Sequence, residues 1–88
     1  MSNKVIWLPK ALKQLLKIDT RYRSNIQARV NQLADFPQVE LDIKKLQGFE
    51  RRFRLRIGFY RVLFDWIEGE PKIIEICTVA KRDEQTYN

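Results

Sequence analysis

The arginines between positions 51 and 61 are the side chains of this sequence best suited to phosphate chemistry. Within the stretch RFRLRI (52–57), every second residue is an arginine and the others are apolar. Because the side chains of a β-strand alternate between its two faces, this spacing predicts Arg52, Arg54 and Arg56 on one face of a sheet. Guanidinium groups bind phosphate through two parallel hydrogen bonds, so we expect this row to bind a polyanion.

The sequence around the row is also basic. Between Lys44 and Arg61 the only acid is Glu50. A nearly acid-free row of arginines repels itself, which favours a nucleic-acid surface over a solvated strand edge. The further nucleic-acid-binding residues that we predict are Lys44, Lys45, Arg51, Arg52 and Lys81. The whole chain has 17 Lys and Arg against 11 Asp and Glu, a net charge of +6, which also suits a polyanionic partner.

The composition excludes several kinds of catalytic site. The chain contains no histidine, one cysteine and three glycines, and its acids are dispersed along the sequence. These features exclude a histidine-activated nucleophile and a glycine-rich phosphate loop, and they argue against zinc sites and two-metal nuclease sites. We therefore expect neither a metal ion nor a cofactor.

RNA cleavage remains possible without a metal, because the ribose 2′-hydroxyl is itself the nucleophile. The protein must then supply cations for the developing charge and groups that move protons. Tyr87 is a candidate base, since one arginine about 5 Å away lowers a tyrosine pKa by up to about 2 units. The alternative is a tail tyrosine that only packs on the sheet, and composition alone favours that alternative.

The predicted secondary structure places these residues on one small domain, residues 1–88. A strand at Lys4–Trp7 precedes a helix that starts at Pro9 and is expected to bury Leu12, Leu15, Leu16 and Ile18. Asp19 or Thr20 can cap a second helix, with Ile26, Val30 and Leu33 as its buried stripe and Phe36-Pro37 at its end.

After a loop over residues 38–50, the period changes to two. Strands are predicted from Arg51 to Ile57, from Tyr60 to Ile67 and from Lys72 to Val79, with a tight turn at Gly58. The expected fold is α+β: an N-terminal strand and a two-helix hairpin packed on an antiparallel sheet with a three-stranded C-terminal meander. Arg61 lies just past the turn, and the sequence does not determine which sheet face it occupies.

The sequence shows no signal peptide and no apolar segment that could span a membrane. A single cysteine forms no internal disulfide and requires no oxidising compartment. We therefore expect a cytoplasmic protein without a membrane partner.

The opening strand and four further segments resemble toxins of the RelE family in the RelE/ParE superfamily. The four segments are Leu8–Leu12 (LPKAL), which begins the helix pair, Lys45–Gly48 (KLQG), Phe53–Val62 (FRLRIGFYRV) and Val79–Asp83 (VAKRD). The resemblance implies the toxin of a type II toxin–antitoxin system, an endoribonuclease that cleaves mRNA in the ribosomal A site. It also implies a cognate antitoxin that covers the basic face, and a toxin–antitoxin complex that binds operator DNA.

The same resemblance implies catalytic roles for Arg54, Arg56, Arg61, Arg82 and Tyr87. Lysines often stand in the family where this chain has Arg54 and Arg56, and a lysine donates a proton to a leaving oxygen more readily than an arginine. Tyr87 is also slightly closer to Arg82 than the family spacing suggests. Two alternatives stay open: a ParE-like toxin that binds DNA gyrase without chemistry of its own, and an attenuated domain that only binds nucleic acid or an antitoxin.

Overall fold

Residues 2–81 are described by a computed structural model, and they form a mixed β-sheet with two helices against one face. The helices are α1 (Pro9–Leu16) and α2 (Thr20–Asn31), and a 3₁₀ turn, Gln32–Asp35, follows α2. The strands are β1 (Lys4–Trp7), β2 (Asp42–Lys45), β3 (Arg52–Ile57), β4 (Tyr60–Ile67) and β5 (Ile73–Lys81). Across these residues the strand order is β1-β5-β4-β3-β2. The predicted α+β class, with its N-terminal strand, helix hairpin and C-terminal strands, is confirmed.

The sheet differs from the prediction at both of its edges. Strand β1 pairs in parallel with β5, so the sheet is mixed rather than antiparallel. Strand β2 lies within the segment predicted as a loop and extends the meander to four antiparallel strands, β2 to β5. Ile43 explains this strand physically, because it pairs with Leu55 and packs against the core from the sheet edge. Within Asp42–Lys45, Ile43 is the one apolar residue, so no alternation of apolar residues marks this strand in the sequence.

The core lies between the helices and one face of the sheet. Its fully buried members include Leu15 from α1, Val30 from α2 and Phe64 from β4. The expected burial of Leu12 and Leu16 is wrong, since their exposed fractions are 43% and 56%. Ala11 and Leu15 are the buried residues of α1, so the sheet covers only a narrow stripe of this helix.

Side chains at and near the connection between α1 and α2 form hydrogen bonds with backbone groups at the ends of the two helices. The Asp19 side chain accepts a hydrogen bond from the Arg21 amide at the start of α2, as the predicted cap requires. Arg23 then donates from Nη2 to the carbonyl oxygens of Leu16 and Ile18 at the end of α1. These bonds fix the hairpin and hence the helical layer under the sheet.

Asn3 fastens the chain before β1 to the rest of the fold. Its side chain is buried and donates to the carbonyl oxygens of Leu33 (3.0 Å) and Phe36 (2.9 Å). Its Oδ1 accepts a hydrogen bond from Trp66 Nε1 at 3.1 Å. One amide therefore joins the first strand, the end of the helical layer and β4. None of the helices in the described part of the chain has the length and apolar character needed to cross a membrane.

Candidate nucleic-acid interface

The strand register brings four arginines onto the sheet surface that the helices leave open. Directly opposed residues of antiparallel strands share a face, and Arg56 of β3 is opposed to Arg61 of β4. Arg54 and Arg52 occupy the same face of β3, and Lys44 of β2 lies opposite Arg54. We call this surface the arginine face. The register thus decides what the sequence left open, the position of Arg61.

The turn that joins β3 to β4 depends on Gly58. Ile57 pairs with Tyr60, which leaves Gly58 and Phe59 as a two-residue loop. Gly58 has a φ of 57°, a left-handed conformation that glycine adopts without a steric penalty. The tight loop keeps Arg56 and Arg61 in register next to the hairpin end. Phe59 at its tip is 71% exposed.

Acidic residues interrupt the arginine row, contrary to the expectation of a nearly acid-free surface. Strand β2 carries Asp42, whose Oδ1 lies 3.2 Å from Arg54 Nη2 and whose Oδ2 lies 3.8 Å from Arg56 Nε. Strand β4 carries Asp65 opposite Arg52. Both acids come from outside the 52–57 stretch, so only the pairing of strands brings them to the arginines.

Arg52 forms an ion pair with one of these acids, Asp65. Its Nε and Nη2 donate to the two carboxylate oxygens of Asp65 at 2.8 and 3.0 Å, and its Nη2 also donates to Cys77 Sγ at 3.7 Å. These hydrogen bonds lower the pKa of Asp65 against the opposing effect of burial, and the Asp65 carboxylate raises the pKa of Arg52. Arg52 therefore has a structural role in the face, and its contact with nucleic acid remains a prediction.

The predicted flanking lysines divide between the two sides of the sheet. Lys44 is exposed on the arginine face, and no carboxylate of residues 2–81 lies within ion-pair distance of it. Lys45 points to the other side, where its Nζ donates to the carbonyl oxygens of Phe49 (3.1 Å) and Glu50 (2.8 Å). Lys81 pairs with Tyr60 and thus also lies on the helix-facing side. Of these lysines, Lys44 alone adds to the arginine face.

The remaining predicted site residues lie directly before β3, in β4 or beyond the described residues. Arg51 is exposed directly before β3. Arg61 is half-buried, and within residues 2–81 it has no ion-pair partner. Arg82 and Tyr87 are outside the described residues, so their predicted roles remain predictions. Ala80, two positions before Arg82 in the sequence, pairs with Arg61.

A second cluster on the open sheet surface contains groups that can bind metals. Ligand atoms of Asp65, Glu75 and Cys77 lie within 4.8 Å of one another. Burial raises the pKa of the Cys77 thiol, which disfavours the thiolate that a metal requires. Asp65 is already held by Arg52, so the cluster is better described as a hydrogen-bonded network than as a metal site.

The arrangement is chemically suited to hold a phosphodiester between neighbouring strands. Opposed side chains of an antiparallel pair have Cβ atoms about 5 Å apart, within reach of one phosphate for two arginines. Arg56 and Arg61 form such a pair, and their mutual repulsion favours an anion between them. Such a pair stabilises the negative charge that develops on a phosphorane.

Comparison with known protein families gives a match over most of the chain. The sequence profile described as "ParE toxin of type II toxin-antitoxin system, parDE" matches residues 5–86. No curated protein has a significant sequence match to the chain.

Solved structures of RelE proteins are similar in fold. The isolated RelE toxin of E. coli has a TM-score of 0.78 and 18% identity, over 97% of this chain and 89% of its own. The RelE–RelB complex of Pyrococcus horikoshii has a TM-score of 0.76 and 22% identity, over 97% of this chain and 100% of the matched chain. A RelBE toxin–antitoxin complex of Mycobacterium tuberculosis has a TM-score of 0.77 and 24% identity, over 93% and 100%.

Proposed function

The chain belongs to the ParE toxin family of type II toxin–antitoxin systems and has a RelE/ParE fold, and we propose that it is an endoribonuclease that cleaves mRNA on the ribosome. The observation that supports this activity is the opposition of Arg56 and Arg61 on an open sheet face, with Arg54 beside them. The proposed activity inhibits translation and requires a cytoplasmic protein.

The proposed reaction is an attack of the ribose 2′-hydroxyl on the adjacent phosphate. A bond forms between O2′ and phosphorus, the bond between phosphorus and O5′ breaks, and a proton passes overall from O2′ to O5′. The products are a cyclic phosphate and a free 5′-hydroxyl, and no water is consumed. Arg61 and Arg82 hold the scissile phosphate, Arg54 and Arg56 stabilise its charge, and Tyr87 assists the proton transfer.

The shape of the face suggests a role for the ribosome. The arginine face is an open surface, and the Cα radius of gyration of the described chain is 12.5 Å. A surface of this kind binds RNA without fixing the scissile phosphate in line with O2′, and such positioning contributes a large part of the rate in metal-free cleavage. The ribosome, which holds mRNA in one conformation, supplies that positioning in our proposal.

Primer extension on mRNA bound to programmed ribosomes tests the activity. We expect wild-type protein to produce defined 5′ ends, and Arg61→Ala to lower the cleavage rate by about 100-fold, as the loss of one transition-state donor does. Arg82→Ala should behave similarly, and Tyr87→Phe should cause a smaller loss. Arg21→Ala is the matched control, because Arg21 is an exposed arginine of α2 outside the arginine face. Intact mRNA with the wild-type protein would refute the proposal.

Binding partners follow from the same proposal. Two of the similar structures are toxin–antitoxin complexes, the RelE–RelB complex of Pyrococcus horikoshii and the RelBE complex of Mycobacterium tuberculosis. We extend this to a cognate antitoxin that covers the arginine face, and to a toxin–antitoxin complex that binds operator DNA. An antitoxin that inhibits cleavage should bind less tightly to the Arg61→Ala variant than to Arg21→Ala.

The profile match to ParE toxins favours a second candidate, a toxin that binds DNA gyrase and has no catalytic activity of its own. The two candidate functions differ in which nucleic acid is cleaved. Accumulation of cleaved DNA–gyrase complexes while mRNA stays intact would support the gyrase-binding toxin. Cleaved mRNA with unaffected gyrase supports the ribonuclease.

A further inference from the structure

Asp42 is the one acid that contacts the proposed phosphate-binding arginines among residues 2–81. It lies on the edge strand β2 and is directly opposed to Arg56, so Arg61, Arg56 and Asp42 form one cross-strand row. Its carboxylate oxygens face different guanidinium groups, with Oδ1 3.2 Å from Arg54 Nη2 and Oδ2 3.8 Å from Arg56 Nε. A phosphodiester bound here would present its two non-bridging oxygens to the same donors.

The two acids of the arginine face differ in how firmly they are held. Asp65 makes two short hydrogen bonds to Arg52, and their side chains are only 22% and 30% exposed. Asp42 is 55% exposed; it makes one long hydrogen bond to Arg54, whose side chain is 16% exposed, and one wider ion pair to Arg56, whose side chain is 41% exposed. Because the Asp42 carboxylate itself keeps contact with solvent and both contacts are long, an arriving anion can replace them at a lower cost than the contacts of Asp65.

Asp42 also borders a cleft beside β2. The cleft has a volume of about 190 Å³ and is lined by Asp42, Arg56 and Gly58, by Arg29 of α2 and by a second acid, Glu40. Arg29 has no ion-pair partner among the described residues. A third guanidinium group, together with the Glu40 side chain, therefore borders the cleft that Asp42 lines.

We infer that Asp42 is an internal counterion that occupies the donors of Arg54 and Arg56 until RNA phosphate displaces it. This inference rests on the proposed function and adds a residue that sets RNA affinity without taking part in the reaction. Asp42 positions the two guanidinium groups in the free protein and opposes the binding of any anion too weak to displace it. Affinity for RNA outside the ribosome is thereby kept low, while Arg61 and Lys44 stay available for first contact.

The test compares RNA binding by Asp42→Asn with binding by wild-type protein. Fluorescence anisotropy with a labelled single-stranded RNA in low salt should show an affinity about tenfold higher for Asp42→Asn, because one close negative charge is removed from a partly exposed site. The plot of log affinity against log salt should steepen by about 0.7, the value for one additional neutralised phosphate. Asp42→Glu retains the charge and should stay within about threefold of wild type.

Two controls separate this effect from net charge and from folding. Asp35→Asn removes the same charge from the exposed end of the 3₁₀ turn and should change affinity less than about twofold. The gain from Asp42→Asn should disappear when Arg54 and Arg56 are both replaced by methionine. Equal gains for Asp42→Asn and Asp35→Asn, or a gain that survives the loss of both arginines, would overturn the inference.

A titration with inorganic phosphate tests the inference even if the protein does not cleave RNA. The Nε–H resonances of Arg54 and Arg56 in NMR spectra report which anion contacts them. In Asp42→Asn these resonances should respond at a phosphate concentration about tenfold lower than in wild type. If they respond at the same concentration in both proteins, Asp42 does not compete with phosphate. If they respond as expected while mRNA stays intact on the ribosome, the inference stands and the ribonuclease proposal fails.

Discussion

Replacement of Arg52 by methionine should destabilise the protein, although Arg52 belongs to the row of arginines that the sequence assigns to nucleic acid. The variant keeps most of the aliphatic bulk and removes the hydrogen bonds of 2.8 and 3.0 Å to Asp65. Hydrogen bonds to charged groups contribute about 1.5–3 kcal/mol each when buried, and exposed ion pairs contribute about 0–1 kcal/mol. With side chains 30% and 22% exposed, this pair lies between those limits.

We therefore expect a loss of about 2 kcal/mol in the free energy of unfolding. In a domain of this size, such a loss lowers the melting temperature by about 8–16 °C. Urea titration and thermal melting followed by circular dichroism measure both quantities. Arg51→Met is the matched control, because Arg51 is exposed and adjacent in sequence, and it should change stability by less than about 0.5 kcal/mol.

A double variant shows whether the cause is the ion pair. Asp65 is opposed to Glu75 as well as to Arg52, so the loss of Arg52 leaves two carboxylates facing each other. The double change Arg52→Met with Asp65→Leu removes the uncompensated charge and should be more stable than Arg52→Met alone. If Arg52→Met has the melting temperature of the wild type and instead weakens RNA binding as much as Arg61→Met does, Arg52 contacts RNA. The structural role that we assign to Arg52 would then be wrong.

Three further outcomes follow from the structure. The pKa of Asp65 is lowered in the folded protein, so its contribution to stability is present above the unfolded value of about 3.9 and is lost as the pH falls below it. Urea midpoints measured from pH 6 to pH 2 should therefore fall less steeply for Asp65→Asn than for wild type. Asn3→Asp places a carboxylate against the carbonyl oxygens of Leu33 and Phe36. Calorimetry at neutral pH should therefore show that the free energy of unfolding falls by about 3 kcal/mol or more. An unchanged melting temperature would contradict the buried amide contacts. Gly58→Ala forces a side chain into a left-handed turn and should cost about 1 kcal/mol in a urea titration, and a stabilised variant would show that the turn has another conformation.

Local patterns in the sequence were sufficient to predict most of the elements. The alternation in RFRLRI predicted β3 and its two faces, and Asp19 was one of two residues predicted to cap α2, because both features depend on neighbouring residues of one backbone segment. The burial of Leu12 and Leu16 was not predicted correctly. Helical spacing indicates which residues share a face, but how much of that face the sheet covers depends on packing.

The composition of the candidate site, by contrast, depended on contacts between distant residues. Asp42 and Asp65 are both visible in the sequence, yet nothing in their local context indicates that they neutralise arginines of β3. Lys45 and Lys81 carry the right charge, but their strand positions turn them to the helix-facing side.

The sequence by itself determined that a basic strand would present its arginines together, because a period of two is a local property of an extended backbone. The tertiary structure alone decided that Arg61 faces Arg56, that Arg52 is bound by Asp65 and that Asp42 contacts the arginines proposed to bind phosphate. Those relations require the register between separate strands. Register depends on how the apolar faces pack into one core, which no single segment of the chain specifies.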